Sequence, residues 1–166
     1  KLFALFVDFK KAFDLVRRDL LLERCKRLGI QGVFLQALEA LYDKVQLEVS
    51  VNRATGQPFD THAGTKQGSE LSPLLFGIFV ELLHELIKLQ LPDVGPVVDG
   101  MNLPDILYAD DCLLLATTSA DCQRLLDVLA LFCKIFGMQV NLAPHKTCLV
   151  VFRPQGIPVP ADLQLH

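Results

Sequence analysis

A chain of 166 residues and 18.5 kDa has the length of one domain, able to bury roughly two-thirds of its unfolded surface. With 51% apolar and 21% charged residues its composition is that of a globular core, which excludes a disordered tail or a peptide hormone. No uncharged run is long enough to cross a membrane, and the charge is −3 overall, +4 over residues 1–27 and −7 over the rest.

Chains that grip nucleic acid unaided are usually basic. A phosphate-binding surface is therefore expected on the N-terminal helix or outside this chain. The opening holds six apolar residues, Leu2 to Val7, before Asp8, which is not the pattern of a secretory leader. With no initiator methionine, the chain is expected to be a piece of a longer protein.

Residues 2–7 are too short a run for a helix and read as a buried strand that delivers Asp8 at its end. From about Lys10 to Leu28, Phe13, Val16, Leu20 and Leu21 alternate with basic residues and Gly29 follows, which predicts a helix with a solvated basic face. A second helix is predicted over 33–44. Leu47, Val49 and Val51 alternate with polar residues, and a turn at 54–56 leads into a second extended segment, 59–63, which predicts a hairpin. Ser72-Pro73 reads as a cap and first helical residue, opening a helix to about Leu89 that is apolar nearly all round.

A Pro/Gly-rich loop at 92–104 leads to Ile106-Leu107-Tyr108-Ala109-Asp110-Asp111-Cys112-Leu113-Leu114-Leu115, a hairpin with its carboxylates at the turn. Cys122, Leu125, Leu126, Leu129, Phe132, Cys133 and Phe136 mark a helix over 120–136 that stops at Gly137. A last strand covers about 147–152, and the Pro-rich 154–166 reads as a linker after a domain at 1–153. Strands gathered into one mostly antiparallel sheet, with helices packed on one of its faces and the other face open, predict an α+β fold. The five cysteines form no C-x-x-C pair, so buried, reduced thiols and an intracellular setting, cytoplasm or nucleus, are expected. The four histidines lack ligand spacing.

Aspartates that end apolar strands are costly unless a cation meets them. No Lys or Arg lies within three residues of Asp110, so Asp8, Asp110 and Asp111 are candidate ligands of divalent metal. Two Mg²⁺ about 4 Å apart would suit in-line phosphoryl transfer. Turn chemistry alone is the other reading of Ala-Asp-Asp. Asp14 is expected to cap, or to pair with Arg17 or Arg18.

Four segments together carry a resemblance: Phe6-Val7-Asp8-Phe9-Lys10-Lys11-Ala12-Phe13-Asp14; Gly64-Thr65-Lys66-Gln67-Gly68-Ser69-Glu70-Leu71-Ser72-Pro73-Leu74-Leu75-Phe76; Tyr108-Ala109-Asp110-Asp111; and Gly137-Met138-Gln139-Val140-Asn141 with Lys146-Thr147. In order and spacing they resemble motifs A to D of reverse transcriptases, in the style of non-LTR (LINE-type) retrotransposons. The resemblance implies a polymerase palm of ferredoxin or RRM-like type and RNA-directed DNA polymerase activity. It further implies dNTP substrates, an RNA template and DNA primer, and Mg²⁺, with Mn²⁺ as a substitute. Asp8 and Asp110 correspond to the main metal ligands, Asp111 to a weaker third, and the Phe9 carbonyl to a further one. Phe13 corresponds to the aromatic that excludes a 2′-hydroxyl, Gln67 and Gly68 to the nucleotide-pocket loop, and Lys146 to an acid for the pyrophosphate leaving group.

Where this family usually has Cys-Pro after Gln-Gly, the chain has Ser69-Glu70. Fingers and thumb segments are expected outside the chain, so that the isolated piece is inactive or weak. The isolated chain is expected to form a homodimer through apolar patches, and a non-catalytic palm-derived binding or dimerisation module is the main rival reading. A nucleotidyl cyclase would want a Gly-Gly-Asp/Glu turn.

Overall fold

The first strand, β1 (Leu2–Asp8), occupies a central position in a four-stranded sheet ordered β10-β1-β9-β8, with β8 (Asp105–Tyr108), β9 (Asp111–Ala116) and β10 (Cys148–Phe152). All its pairings are antiparallel. This computed structural model describes residues 1–43, 45–48, 50, 51, 54–61, 63–65 and 69–153, so the 154–166 linker lies outside the described residues. Period-two alternation divides β1: Phe3, Leu5 and Val7 are buried in the core, while Phe6 is exposed.

Helix α3 (Leu71–Gln90) packs on β8, and α4 (Ser119–Phe136) packs on β9 and β1. This is the expected α+β arrangement, but only four strands share the sheet, and the other described strands pair in separate two-stranded ladders instead of joining it. α1 (Arg18–Arg27) leans on α3, and α2 (Gly32–Tyr42) on α1, so the apolar girth of α3 is covered by neighbouring helices as well as by the sheet. The core centres on Phe132, which is fully buried and meets Phe9, Phe79 and Phe136. Among the described residues no helix is long and apolar enough to cross a membrane.

α4 ends where predicted and begins one residue earlier, at Ser119, because both ends are specified. Thr118 accepts a hydrogen bond from the Asp121 amide, and Gly137 takes φ +75°.

The first predicted helix is shorter than its periodicity suggests. Lys11 takes φ +51°, a 3-10 turn covers Ala12–Asp14, and Arg17 is extended and bridged to Ala63 before α1 begins. A bridge to a residue far along the chain overrides the helical pattern over 10–17. α3 also starts one residue before its predicted cap. Glu70 precedes the helix, the Leu71 amide donates to Ser69 Oγ, and Ser72 is buried inside the first turn. Pro73 is tolerated there because a first-turn N–H has no helical partner.

The predicted 47–63 hairpin is present as two small ladders. β2 (Gln46–Leu47) pairs with β5 (Phe59–Asp60), and β3 (Ser50–Val51) pairs with β4 (Ala54–Thr55). Ala54 and Thr55 thus lie in a strand, not in the turn. The 92–104 loop carries a further ladder, β6 (Val97–Val98) with β7 (Met101–Asn102).

Candidate active site

β1 and β9 run side by side with Asp8 opposite Asp111. The two-residue turn Ala109-Asp110 joins β8 to β9 with Tyr108 opposite Asp111. Opposed residues on antiparallel strands hold their Cβ atoms about 5 Å apart, and like charges there repel. Asp8 and Asp111 therefore form an acidic pair at one end of the open sheet face, with Asp110 exposed in the adjoining turn. Ala109 takes φ +50°, a left-handed conformation that costs a residue with a Cβ about 1–2 kcal/mol. His145, which lines the same site, also has positive φ.

The donor chemistry of these carboxylates suits a hard divalent cation. Their arrangement does not complete a site: among the described residues no three His, Cys, Asp or Glu side chains group to hold a metal ion. The Asp8 carboxylate is held by the chain itself. Asn141 Nδ2 donates to Asp8 Oδ2 at 2.7 Å, and Lys146 Nζ lies 3.6 Å from Asp8 Oδ1. The Asp8 amide donates to Thr147 Oγ1, and the Asn141 amide to the Asp8 carbonyl. Local pattern gives Asn141 and Thr147 no role of their own. Their only signal was membership of the Gly137-to-Thr147 segment, because the bond from Asn141 to Asp8 spans 133 residues.

Phe9 is bridged to Val140, with its ring on Phe132. The Phe13 ring is half-buried against Phe76, 5.0 Å between centroids. Gln67 and Gly68 lie outside the described residues, but the chain leading to them is tied to the segment after Asp8. The Thr65 amide donates to the Phe13 carbonyl and the Gly64 amide to the Val16 carbonyl. Gly64 has φ +90°, and a Cβ there would lie 3.0 Å from the Asp14 carbonyl oxygen, so the position admits glycine alone without strain. Glu70, where the family pattern has proline, stands at the N-terminus of α3, where the helix dipole favours negative charge.

The basic character of the N-terminal helix is consumed by pairing within the chain. Arg18 is buried, donates to the Gly64 and Thr61 carbonyls and lies over the Tyr42 ring. Arg17 pairs with Asp19, Arg24 with Glu85, Lys26 with Glu39 and Arg27 with Glu23. Burial lowers the pKa of Arg18, while the hydrogen bond to Asp19 raises that of Arg17. The face is structural rather than a bare phosphate-binding surface.

The cysteines are free. Cys25, Cys112 and Cys122 are buried, Cys133 is half-buried, and Cys148 is exposed, contrary to the expectation of core thiols throughout. Cys148 lies opposite Phe6 in β10, the edge strand, on the face that no helix covers. Burial pushes the Cys112 thiol up to about 12 and that of Cys133 to about 11.

A cavity of about 360 Å³ opens over the acidic pair, lined by Phe6, Asp8, Ile106, Tyr108, Asp111 and Lys146 among others. A larger one, about 900 Å³, lies beyond the 3-10 turn between Lys11, Arg18, Tyr42 and Thr65, away from these carboxylates. The smaller cavity is the one lined by Asp8 and Asp111.

An antiparallel sheet backed by helices, with an acidic pair at its open end beside an exposed Asp-bearing turn, defines a palm-type domain. Over residues 1–159 the chain matches the family described as reverse transcriptase (RNA-dependent DNA polymerase), and it belongs to that family. It is 30% identical to a probable RNA-directed DNA polymerase from transposon BS of Drosophila melanogaster, over 98% of this chain and 18% of that protein. It is also 30% identical to the Pol polyprotein of a type-1 retrotransposable element R2 of Popillia japonica, over 93% of this chain and 22% of that protein. The chain thus spans about a fifth of the length of these relatives. A telomerase from Candida albicans, solved with the TWJ fragment of telomeric RNA, shares the fold: TM-score 0.66 and 16% identity over 96% of this chain and 28% of that one.

Proposed function

We propose that residues 1–153 are the catalytic palm of an RNA-directed DNA polymerase that joins dNTPs to a primer 3′-hydroxyl on an RNA template, and that 154–166 is a linker. The observation that carries this reading is the register of β1 on β9, which opposes Asp8 and Asp111 beside the Asp110 turn. Two carboxylates facing each other across strands are unfavourable without a cation. Mg²⁺, or Mn²⁺ in its place, is the proposed partner of Asp8, Asp110, Asp111 and the Phe9 carbonyl. A pair of such ions would stabilise the entering and leaving oxygens of nucleotidyl transfer when bound.

In the same reading Phe13 lies under the incoming sugar and Gln67 and Gly68 line the nucleotide pocket. Lys146, within reach of Asp8, protonates the pyrophosphate leaving group. The free thiols agree with an intracellular, reducing setting, nucleus or cytoplasm. Because fingers and thumb contribute to gripping substrate, the isolated chain is expected to extend primers weakly or not at all.

Primer extension on an RNA template, by the longer protein that carries this chain, tests the reading. Asp8→Asn is expected to abolish extension with Mg²⁺ and with Mn²⁺, and normal extension by that variant refutes the assignment. One observation favours a second, non-catalytic reading as a dimerising module: Phe6, Ile106, Tyr108, Val150 and Phe152 are exposed, and their registers put them on one apolar sheet face. Light scattering on the 166-residue chain and on a version ending at Arg153 tests it. A monomer in both at tens of micromolar rules out the homodimer.

A further inference from the structure

The site holds an anion whose partners are all its own. Asp8 is half-exposed, 36% at its side chain, yet its carboxylate already has an amide donor on one oxygen and an ammonium group beside the other. The two partners differ in how firmly they are held. The Asn141 amide group is fixed at both ends: Nδ2 donates to Asp8, and Oδ1 accepts from the Ala143 amide at 3.2 Å. Its backbone is fixed as well, donating to the Asp8 carbonyl and accepting from the Thr147 amide. Lys146 sits on a flexible stem, 52% exposed at its side chain, at 3.6 Å, a contact of the kind that contributes little net stability.

We propose that Asn141 is a positioning residue that fixes the Asp8 carboxylate for an arriving divalent cation, and that Lys146 is the resident counter-ion which the cation displaces. This rests on the reading of Asp8 as a cation ligand given above. An ionised carboxylate has about four lone-pair sites. Asn141 takes one on Oδ2 and leaves the rest, so it stays bonded when the cation binds. Lys146 stands where positive charge is needed only while no cation is present, and repulsion from a dication drives it off. That displacement releases Nζ from Asp8, so that one group serves first as a placeholder and then as the proton donor proposed for the leaving group.

The test is the Mn²⁺ affinity of the 166-residue chain, read from the paramagnetic resonance signal of free Mn²⁺. It compares wild type with Asp8→Asn, Asn141→Ser, Lys146→Gln and, as a charge control, Lys10→Gln. Serine keeps a hydroxyl acceptor for the Ala143 amide but is too short to reach Asp8, so a purely loop-supporting role for Asn141 leaves the affinity unchanged. The expected result is a loss of about threefold to tenfold in Asn141→Ser, from the freed carboxylate and its lost bond. Lys146→Gln is expected to tighten binding about twofold to fivefold, and more than Lys10→Gln does.

If Asp8→Asn binds Mn²⁺ as well as wild type, the reading of Asp8 as a ligand fails. If Asp8→Asn weakens binding but Asn141→Ser does not, that reading stands and the positioning role is overturned. Equal effects of Lys146→Gln and Lys10→Gln overturn the displacement. Should Asn141→Ser unfold the chain, the Asn141 side-chain amide resonance of the wild type decides. Persistence of its bonded shift at saturating Mg²⁺ supports the proposal, and its return to the free-amide position overturns it.

Discussion

Replacing His84 with alanine removes the partner of the most deeply buried carboxylate in the described chain. Asp105 opens β8 with its side chain 2% exposed, and His84, on α3, presents Nδ1 to both of its oxygens at 2.9 Å. The pair joins the longest helix to an edge strand of the sheet. Removing one member of a buried pair costs about 3–5 kcal/mol, because the other is left desolvated and unpaired. The His84 ring is 24% exposed, so water can reach the vacated site and the lower end applies. A loss of about 3 kcal/mol lowers Tm by about 10 °C in a domain of this size. The chain has no tryptophan, so urea unfolding is best followed by far-ultraviolet circular dichroism. The double variant His84→Leu with Asp105→Leu is expected to recover most of the loss, since two apolar groups leave nothing unpaired. A cost under about 1 kcal/mol in His84→Ala, or a double variant no better than the single one, refutes this reasoning.

Thiol labelling at pH 8 is expected to modify Cys148 first and Cys112 only on unfolding, since Cys148 is exposed while burial raises Cys112 from its ordinary 9.0 to about 12. The native state therefore holds that proton more tightly than the unfolded chain. The stabilisation it brings is full below pH 9 and is lost as pH rises toward 12; faster labelling of Cys112 than of Cys148 contradicts its burial. On the role proposed for Phe13 above, Phe13→Val is expected to raise ribonucleotide incorporation at least about tenfold in primer extension. Unchanged discrimination leaves Phe13 with its Phe76 contact alone. Gly64→Ala, which forces a Cβ against the Asp14 carbonyl at φ +90°, is expected to cost about 2 kcal/mol in urea unfolding; a cost near zero means the segment shifts freely.

What could be read from sequence was what local pattern encodes. The run 2–7, the Tyr108-to-Asp111 turn and the 120–136 stripe each state their conformation within a few residues, and each lies where it was expected. The stretch after Asp8 misled because Phe13, Val16 and Leu20 satisfy a helical period while Arg17 pairs with Ala63, 46 positions on, a bond no window sees. The same limit hid Asn141 on Asp8, His84 on Asp105, and the burial of Arg18, whose partners Thr61 and Gly64 are likewise remote. The acidic residues of the site were legible because carboxylates at the ends of apolar strands are conspicuous. The groups that contact them, Asn141, Lys146 and Thr147, are ordinary polar residues whose contacts appear only once the chain is folded.

The place of β1 in the sheet governs the order in which the protein can be made. Among the strands of this sheet Leu2 to Val7 is made first, and both its neighbours, β9 and β10, come more than 100 residues later. At about 5–20 residues per second, the nascent chain carries an unsatisfied Phe- and Leu-rich strand for roughly 5–20 s before β9 emerges, and longer before β10 closes its other edge. Such a strand is open to pairing with copies on neighbouring ribosomes. Soluble recombinant yield of this domain is therefore expected to rise with a co-expressed holding chaperone or with slower translation.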